Sequence, residues 1–360
     1  MIPLPPPSVR SNFIRHIHLS GVTPFHIAQT IQSTLVSRLL EYKKETSAHQ
    51  HPDPKPPAPI PTVLTFQPTP VYTIGRRELQ TPLSDALLKS LREPLIPRST
   101  THLPTIRPPF TPSHKNEQIP DVVQTPRGGL ITFHGPGQLV IYPIIDLLTF
   151  RNFGAKCYVN LLEESTIRLL HKLGLTILGR TDNPGVWLNE HEKIASLGVH
   201  LRRNVSSYGV GLNMIMERGW WDRITACGLE GKKIVGIDEQ IFDLEKRGFA
   251  NQQDNWSSSY KALLRNGAAV ARTWVDEFAG ELGRLDRGEK YKESRSESEN
   301  DVISTLDESS KSENVNATHW TGWEDMPESV KELIPLDIRG GNELNVSTGG
   351  GYVEYRPWRE

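Results

Sequence analysis

The sequence predicts a domain of the α/β class, with helices packed on a mixed sheet in an α+β arrangement. Two observations support this: short runs of strand composition recur through the middle of the chain, and two longer segments carry helical spacing or composition. At 360 residues the chain is long enough to bury a substantial core. No run approaches 18 consecutive apolar residues, so no transmembrane helix and no membrane partner are expected.

The predicted strands are rich in β-branched and aromatic residues and are bounded by turn residues. They cover residues 13–19, 63–75, 131–133, 138–145, 185–188, 193–201 and 206–214. The strands at residues 131–133 and 138–145 are joined by a tight turn containing two glycines and a proline. Apolar residues between Tyr158 and Leu173 fall on helical spacing, and Gly174 ends that helix. Residues 262–282 are helical by composition, and residues 220–227 form a helix or a turn.

Proline and charge divide the chain into segments. Most of the 28 prolines lie at or before residue 126, and the Pro-rich stretch at residues 78–125 reads as an insertion into a main domain at 13–285. Residues 286–315 are rich in serine and mixed charge, so disorder is predicted there, before a carboxyl-terminal extension at 316–360. Residues 1–12 are a possible targeting segment. The first 40 residues lack Asp and Glu, which favours mitochondria over the cytoplasm.

Composition excludes several classes of protein. Lys and Arg number 41 against 42 Asp and Glu, so no global basic field exists and nucleic acid is not an expected partner. The two cysteines are too few for a disulfide scaffold or a Cys-rich zinc site.

The most unusual segment is the glycine-rich stretch from Arg127 to Gln138. It lacks the Lys-Ser/Thr that closes a phosphate loop, and its glycine spacing is not that of a dinucleotide fingerprint. Arg127 has the chemistry to pair with a carboxylate or phosphate, and His134 the chemistry to exchange a proton. The alternative interpretation is a hairpin whose glycines serve turn geometry only.

Cys227 and Lys193 are candidates for nucleophilic chemistry. Cys227 is followed by a glycine, a context in which a thiol lies exposed and activated at the end of an element. Lys193 enters an apolar strand, where burial disfavours the ammonium form and a nearby thiol gains a base or an ion-pair partner. The alternatives are a buried small hydrophobe and a solvated strand end. Cys157 lies within the helical pattern and is expected to be structural.

Several of these segments together resemble the lipoyl (octanoyl) transferases. The matches run in the family's order: PVYTIGR at 70–76, RGGLITFHGPGQLV at 127–140, YPIIDL at 142–147, GVW at 185–187, KIASLG at 193–198, GVGLN at 209–213 and ACG at 226–228. They span roughly residues 13–240, interrupted by the insertion. The resemblance implies the catalytic fold shared by biotin and lipoate protein ligases, with residues 13–285 as the octanoyltransferase catalytic domain.

The resemblance also implies roles for individual residues. Cys227 matches the acyl-accepting nucleophile, and Lys193 matches the lysine that lowers the thiol pKa and transfers the proton. The stretches that match the acyl-substrate pocket are Arg127, Gly128, Gly129, Leu130, Ile131, Thr132, Phe133 and His134; Ser196, Leu197 and Gly198; and Gly209, Val210 and Gly211. Departures from the family pattern are Phe133 for Tyr, Ala226 for Pro, Tyr208 for His, and the pair Val210–Gly211.

The implied reaction moves an octanoyl group from octanoyl-acyl carrier protein to a lysine of a lipoyl domain. The implied acceptors are the E2 subunits of 2-oxoacid dehydrogenases and the glycine cleavage H protein. No cofactor or metal is expected, because the thioester donor is already activated. Two alternatives remain open: an ATP-dependent lipoate or biotin protein ligase of the same fold, and a non-catalytic acyl-binding protein.

Overall fold

The computed structural model describes residues 13–47, 57–80, 83–95, 119–150, 152–175, 179–228, 230–246, 264, 267–287, 317–320 and 348–354. The possible targeting segment at 1–12 lies outside these ranges, as does nearly all of the segment for which disorder is predicted.

Twelve strands form two sheets among the described residues. In chain order the strands are β1 (Phe13–Thr23), β2 (Thr62–Pro68), β3 (Val71–Ile74), β4 (Asp121–Gln124), β5 (Thr132–His134), β6 (Gln138–Ile144), β7 (Val186–Trp187), β8 (Glu192–Arg202), β9 (Val205–Asn213), β10 (Lys233–Ile234), β11 (Ala317–Trp320) and β12 (Thr348–Glu354). The large sheet has the order β10-β8-β9-β6-β2-β1-β12-β11, with β7 paired to β8, and the small sheet has the order β4-β3-β5. β1 with β2 and β8 with β10 are parallel, whereas β8-β9-β6-β2 is antiparallel, which confirms the predicted mixed sheet.

Six named α-helices accompany the sheets in the part of the chain that the structure describes. They are α1 (Phe25–Ser47), α2 (Asp85–Leu91), α3 (Ala155–Lys172), α4 (Arg218–Trp221), α5 (Ile237–Lys246) and α6 (Gly267–Asp286). Helices α3 and α6 contribute to one apolar cluster with the large sheet, in which Trp274 stacks on Phe278 at 5.2 Å. Helix α1 packs its buried apolar side chains into a second cluster with other side chains of that sheet. Because side chains alternate along a strand, the sheet has an apolar covering on both faces.

The helical predictions succeed where the apolar spacing is regular. Tyr158, Leu161 and Leu169 are fully buried on α3, and Gly174 follows the helix with φ of +71°. Helix α1 was not predicted, although it carries a buried apolar stripe with a spacing of four residues, formed by Ile27, Ile31, Leu35 and Leu39. Helix α5 was not predicted either, because its ten residues are mostly polar.

Two predicted connections differ in the structure. The strand predicted at 63–75 is two strands, since the chain leaves the large sheet at β2 and enters the small sheet at β3. The turn between β5 and β6 likewise connects strands of different sheets rather than closing a hairpin. That turn requires Gly137, whose φ is +88° and where a Cβ atom would lie 2.1 Å from the carbonyl oxygen of Ile215.

The predicted insertion at 78–125 contains regular structure at both ends. Ser84 caps α2 by accepting a hydrogen bond from the Leu87 amide at 3.2 Å, and Leu91 is fully buried in a third apolar cluster. At the other end β4 pairs in parallel with β3. Residues 96–118 lie outside the described ranges.

The carboxyl-terminal extension contributes strands to the large sheet. β12 pairs antiparallel with β1 along seven residues, and β11 pairs with β12. Helix α6 ends at Asp286, close to the boundary predicted at 285. Among the described helices, none is long and apolar enough to cross a bilayer.

Candidate active site

Residues from both sheets line a cavity of about 250 Å³. Cys227 and Lys193, which are 34 positions apart in the chain, both line it. A separate, shallow depression of about 480 Å³ runs along α1 from Gln29 to Glu41 and contains none of the predicted site residues. The cavity that brings the cysteine and the lysine together is therefore the candidate active site.

Eleven of the predicted substrate-binding residues line this cavity: Arg127, Gly128, Gly129, Thr132, His134, Ser196, Leu197, Gly198, Gly209, Val210 and Gly211. They come together because β8 and β9 are adjacent, with Gly198 opposite Gly209 and Ser196 opposite Gly211. β6 lies on the other side of β9 and adds Tyr142 to the lining.

Three predicted substrate-binding residues, Leu130, Ile131 and Phe133, are not in the cavity lining. Side chains alternate along β5, so Thr132 and His134 reach the cavity whereas Phe133 points the other way and stacks on Trp220 at 5.4 Å. Ile131 acts through its backbone, since its amide donates to Glu78 at 2.9 Å and its carbonyl accepts from the Cys227 amide at 2.9 Å. The Leu130 side chain lies beside Gly228. Their role in substrate binding stays a prediction, although none of the three lines the cavity.

Sequence reasoning missed seven lining residues: Arg77, Tyr142, Val159, Asn183, Pro184, Val199 and Tyr208. Tyr142 and Tyr208 contact each other edge to face at 5.4 Å, and burial raises the pKa of both phenols, so both stay neutral. Several of the seven lie next to motif residues in the sequence, and that proximity is the signal that could have identified them. Val159 lies on α3, outside every motif, and only the packing of α3 beside β8 places it there.

A tight turn at Ala226–Gly228 presents Cys227. The residue has φ of +57° and ψ of +17°, a left-handed conformation that costs a non-glycine residue about 1–3 kcal/mol. Hydrogen bonds from the Cys227 amide to Ile131 and from the Gly228 amide to Thr225, both 2.9 Å long, hold this conformation. The turn therefore fixes the cysteine at the cavity wall, with its side chain half-buried.

Lys193 is only 2% exposed at the start of β8. Its Nζ donates to the carbonyl oxygen of Pro184 at 2.8 Å and lies 4.8 Å from the centre of the Trp187 ring. Burial lowers the pKa of this amine, and the negative charges of Cys227 and Glu163 act in the opposite direction. A lysine so placed responds to the charge state of the cysteine that shares its cavity.

Arg127 binds to its own chain. Its five N–H groups donate to Thr73, to Gly128 and to Leu130 through five hydrogen bonds of 2.6–3.3 Å. These bonds use all the donors of the guanidinium, so no N–H group of Arg127 is left to pair with a carboxylate or phosphate ligand in this conformation. Arg127 instead holds the glycine-rich loop against β3.

His134 is a neutral side chain. Burial and the nearby Arg127 charge lower its pKa to about 4. Its Nδ1 donates to the Gln138 side-chain oxygen at 2.6 Å, and its ring stacks near Phe25. With so low a pKa the ring is neutral near pH 7, so it is a poor general acid and a weak base, and its Nε2 is left as a hydrogen-bond acceptor.

Two buried hydroxyls in the cavity lining, Thr132 Oγ1 and Ser196 Oγ, have no hydrogen-bond partner among the described residues. Buried polar atoms of this kind are uncommon in folded proteins, and their hydrogen bonds are completed by an ordered water or by a ligand. Across the described ranges, no three His, Cys, Asp or Glu residues are grouped so as to hold a metal ion.

The chain is similar in sequence to a known family of protein domains and to several named proteins. Residues 44–246 match the family model described as the lipoyl protein ligase A/B catalytic domain, which is more than half of the chain. A relative in Schizosaccharomyces pombe, named "Probable octanoyltransferase", is 33% identical over 233 residues, covering 64% of this chain and 89% of that protein. In Kluyveromyces lactis, "Octanoyltransferase, mitochondrial" is 37% identical over 195 residues, but the chain spans only 54% of that protein's length and 51% of this chain is matched.

A Danio rerio protein named octanoyl-[acyl-carrier-protein]:protein N-octanoyltransferase, mitochondrial, is 31% identical over 235 residues, covering 65% of this chain and 85% of that protein. Among solved structures, a putative lipoate protein ligase from T. acidophilum with bound lipoic acid aligns at a TM-score of 0.39 and 9% identity, over 75% of this chain and 98% of that one. The family match and the fission yeast relative decide the assignment: this chain belongs to the lipoyl protein ligase A/B catalytic-domain family, and within it to the octanoyltransferases.

Proposed function

We propose that this chain is an acyltransferase that moves an octanoyl group from octanoyl-acyl carrier protein to a lysine of lipoyl domains, through a thioester on Cys227. The expected acceptors are the E2 subunits of 2-oxoacid dehydrogenases and the glycine cleavage H protein. The names of the yeast and fish relatives support the activity and a mitochondrial location. The observation that carries the proposal is the shared cavity of Cys227 and Lys193.

In the first step the Cys227 sulfur attacks the carbonyl carbon of the donor thioester. Lys193 takes the thiol proton, and its ammonium favours the thiolate. The new carbon–sulfur bond forms, the donor's carbon–sulfur bond breaks, and the departing thiolate takes the proton back from Lys193. Because one thioester replaces another, the step needs no ATP.

In the second step the neutral amine of the acceptor lysine attacks the acyl-Cys227 carbonyl. An amide bond forms, the carbon–sulfur bond breaks, and Cys227 leaves as the thiolate. Lys193, whose pKa burial lowers, is suited to accept the proton that the attacking amine sheds. The proton then returns to the sulfur, so the enzyme ends the cycle as it began.

Both steps pass through a tetrahedral oxyanion. The Gly228 amide, an obvious donor next to the cysteine, already donates to Thr225. The free hydroxyls of Thr132 and Ser196 are the better candidates, because they are buried in the cavity and unpartnered within the described chain. A donor of this kind contributes about 3–4 kcal/mol in other enzymes.

The rest of the lining suits an alkyl chain. Val159, Leu197 and Val210 supply apolar surface, and the neutral phenols of Tyr142 and Tyr208 add no charge. The volume of about 250 Å³ lies just under the range of about 300–1,000 Å³ typical of sites for drug-sized ligands. A single medium-length acyl chain is a suitable occupant.

Intact-mass measurement after incubation with octanoyl-acyl carrier protein, without ATP, tests the proposal. We expect the wild type and Cys157→Ser to gain one octanoyl group, and Cys227→Ser to gain none, because serine is far harder to deprotonate than cysteine. Cys157 is the matched control, since it packs against the apolar cluster of α3, away from the cavity lining. An acyl mass on Cys227→Ser, or transfer that requires ATP, would refute the covalent mechanism and favour a ligase.

A further inference from the structure

We propose that Glu163 is a positioning residue, which anchors the segment of Pro184 and Gly185 to α3 and so keeps the Lys193 amine in place beside Cys227. Its catalytic meaning depends on the function proposed above. Glu163 lies in the middle of α3, in none of the sequence motifs, and does not line the cavity. The inference therefore concerns a residue that acts on the chemistry only through its neighbours.

Both carboxylate oxygens of Glu163 are engaged. Oε1 accepts a hydrogen bond from the Gly185 amide at 3.0 Å, and Oε2 accepts one from Arg180 Nε at 3.1 Å. Glu163 is 5% exposed, so these are charge-assisted bonds shielded from water. Arg180 also donates to the carbonyl of Asn160 at 3.1 Å and to Glu164 at 2.8 Å. The two ends of the segment from Arg180 to Gly185 are thus fastened to one face of α3.

That segment forms the wall against which the lysine packs. Lys193 Nζ donates to the carbonyl oxygen of Pro184 at 2.8 Å. A Cβ atom on Gly185 would lie 2.6 Å from Lys193 Cε, which shows how closely the backbone approaches the side chain. On the far side, Trp187 Nε1 donates to the carbonyl of Asn183 at 3.0 Å, and the Trp187 ring lies beside the amine. Movement of the segment would therefore move the amine.

Charge acts in the same direction as geometry. The charged groups that act on the Lys193 amine are Cys227 and Glu163. Arg180 pairs with Glu163, and Arg127 interacts electrostatically with Cys227. The Glu163 carboxylate raises the Lys193 pKa against the effect of burial. Loss of that carboxylate favours a neutral amine, and the thiolate then loses the cation that stabilises it. Direct repulsion between Glu163 and the thiolate is the smaller effect, because Glu163 does not line the cavity that holds Cys227.

The pH dependence of Cys227 alkylation by iodoacetamide, followed by peptide mass in the full-length Cys157→Ser protein, tests the proposal without an acyl substrate. Glu163→Gln keeps the length of the side chain and removes its charge, whereas Glu163→Asp keeps the charge and shortens the side chain by one methylene group. We expect the midpoint of the alkylation profile to rise in both variants, and to rise further in the first than in the second. Glu164→Gln is the matched control, because Glu164 also binds Arg180 but has no hydrogen bond to Gly185, and its midpoint should stay at the wild-type value.

Wild-type midpoints in every folded Glu163 variant would overturn the proposal, as would an equal shift in Glu164→Gln. If Glu163→Gln fails to fold, Glu163→Asp still decides, because it retains the charge that Arg180 requires. The two proposals remain separable. A shifted alkylation midpoint with no octanoyl transfer by any variant, wild type included, supports the positioning role and refutes the proposed function.

Discussion

The backbone of Gly185 packs directly against the side chain of Lys193, the candidate catalytic lysine. The substitution Gly185→Ala tests that arrangement. The φ of Gly185 is +135°, a region that disfavours residues with a side chain. An added methyl group would lie 2.6 Å from Lys193 Cε, 3.1 Å from Lys193 Nζ and 2.7 Å from the carbonyl oxygen of Ala195. The strand backbone at Ala195 is fixed by the sheet, so the lysine side chain is the part able to yield.

The magnitude follows from two costs. The backbone conformation costs about 1–3 kcal/mol for alanine, and overpacking a filled site costs about 1–3 kcal/mol. Because the lysine end can move, we expect a net loss of about 2–4 kcal/mol, which lowers the Tm by about 5–15 °C for a domain of this size. A displaced amine should slow Cys227 acylation about 100-fold even where the protein is fully folded, since misplacement by about 1 Å costs that much elsewhere.

Differential scanning calorimetry and acylation followed by intact mass measure the two effects separately. Gly280→Ala is the matched control: it lies in α6 with nothing within 4 Å of an added Cβ. In a helix this change should stabilise by about 0.5–1 kcal/mol and leave acylation unchanged. A Gly185→Ala protein as stable and as rapidly acylated as the wild type would refute the reasoning, because it would mean that the methyl group is accommodated without moving Lys193.

Three further outcomes are expected. Lys193→Ala should slow acylation and move its pH dependence upward, because the thiolate loses its cation; an unchanged pH profile would contradict this. Arg127→Lys should lower the unfolding free energy by about 3 kcal/mol in urea titrations, since a lysine cannot replace the five donors, whereas the exposed Arg202→Lys should change it by less than about 0.5 kcal/mol. Burial lowers the pKa of His18 to about 4, below the value of about 6.5 in the unfolded chain, so the unfolded state binds more protons between these values and stability falls as the pH decreases from about 6.5 to 4. His18→Gln should remove up to about 3 kcal/mol of that loss of stability. If the unfolding free energy of the wild type and of His18→Gln falls equally with decreasing pH, His18 is not the group responsible.

The sequence by itself determined the class of the fold and most of its central elements. Regular spacing of buried side chains on α3 is a local property that the helix period dictates, so residues 158–173 could be read directly. The strands β8 and β9 were likewise visible in their composition. The motifs around Arg127, Lys193 and Cys227 pointed to the site through their resemblance to the lipoyl (octanoyl) transferases, whereas composition alone left each of these residues with a structural alternative.

Only the tertiary structure decided what those residues do. No local signal shows that β5 and β6 belong to different sheets, because strand composition does not encode the partner strand. Alternation along β5 could have separated Phe133 from Thr132 and His134, but which face meets the cavity depends on the packing of Trp220 behind it. Arg127 carried the chemistry of a ligand-binding residue, yet its acceptors at Thr73 come from 54 positions earlier in the chain. The cavity that Lys193 and Cys227 share, and the hydrogen bond between Glu163 and the Gly185 amide, depend on contacts between distant segments, which only the folded chain brings together.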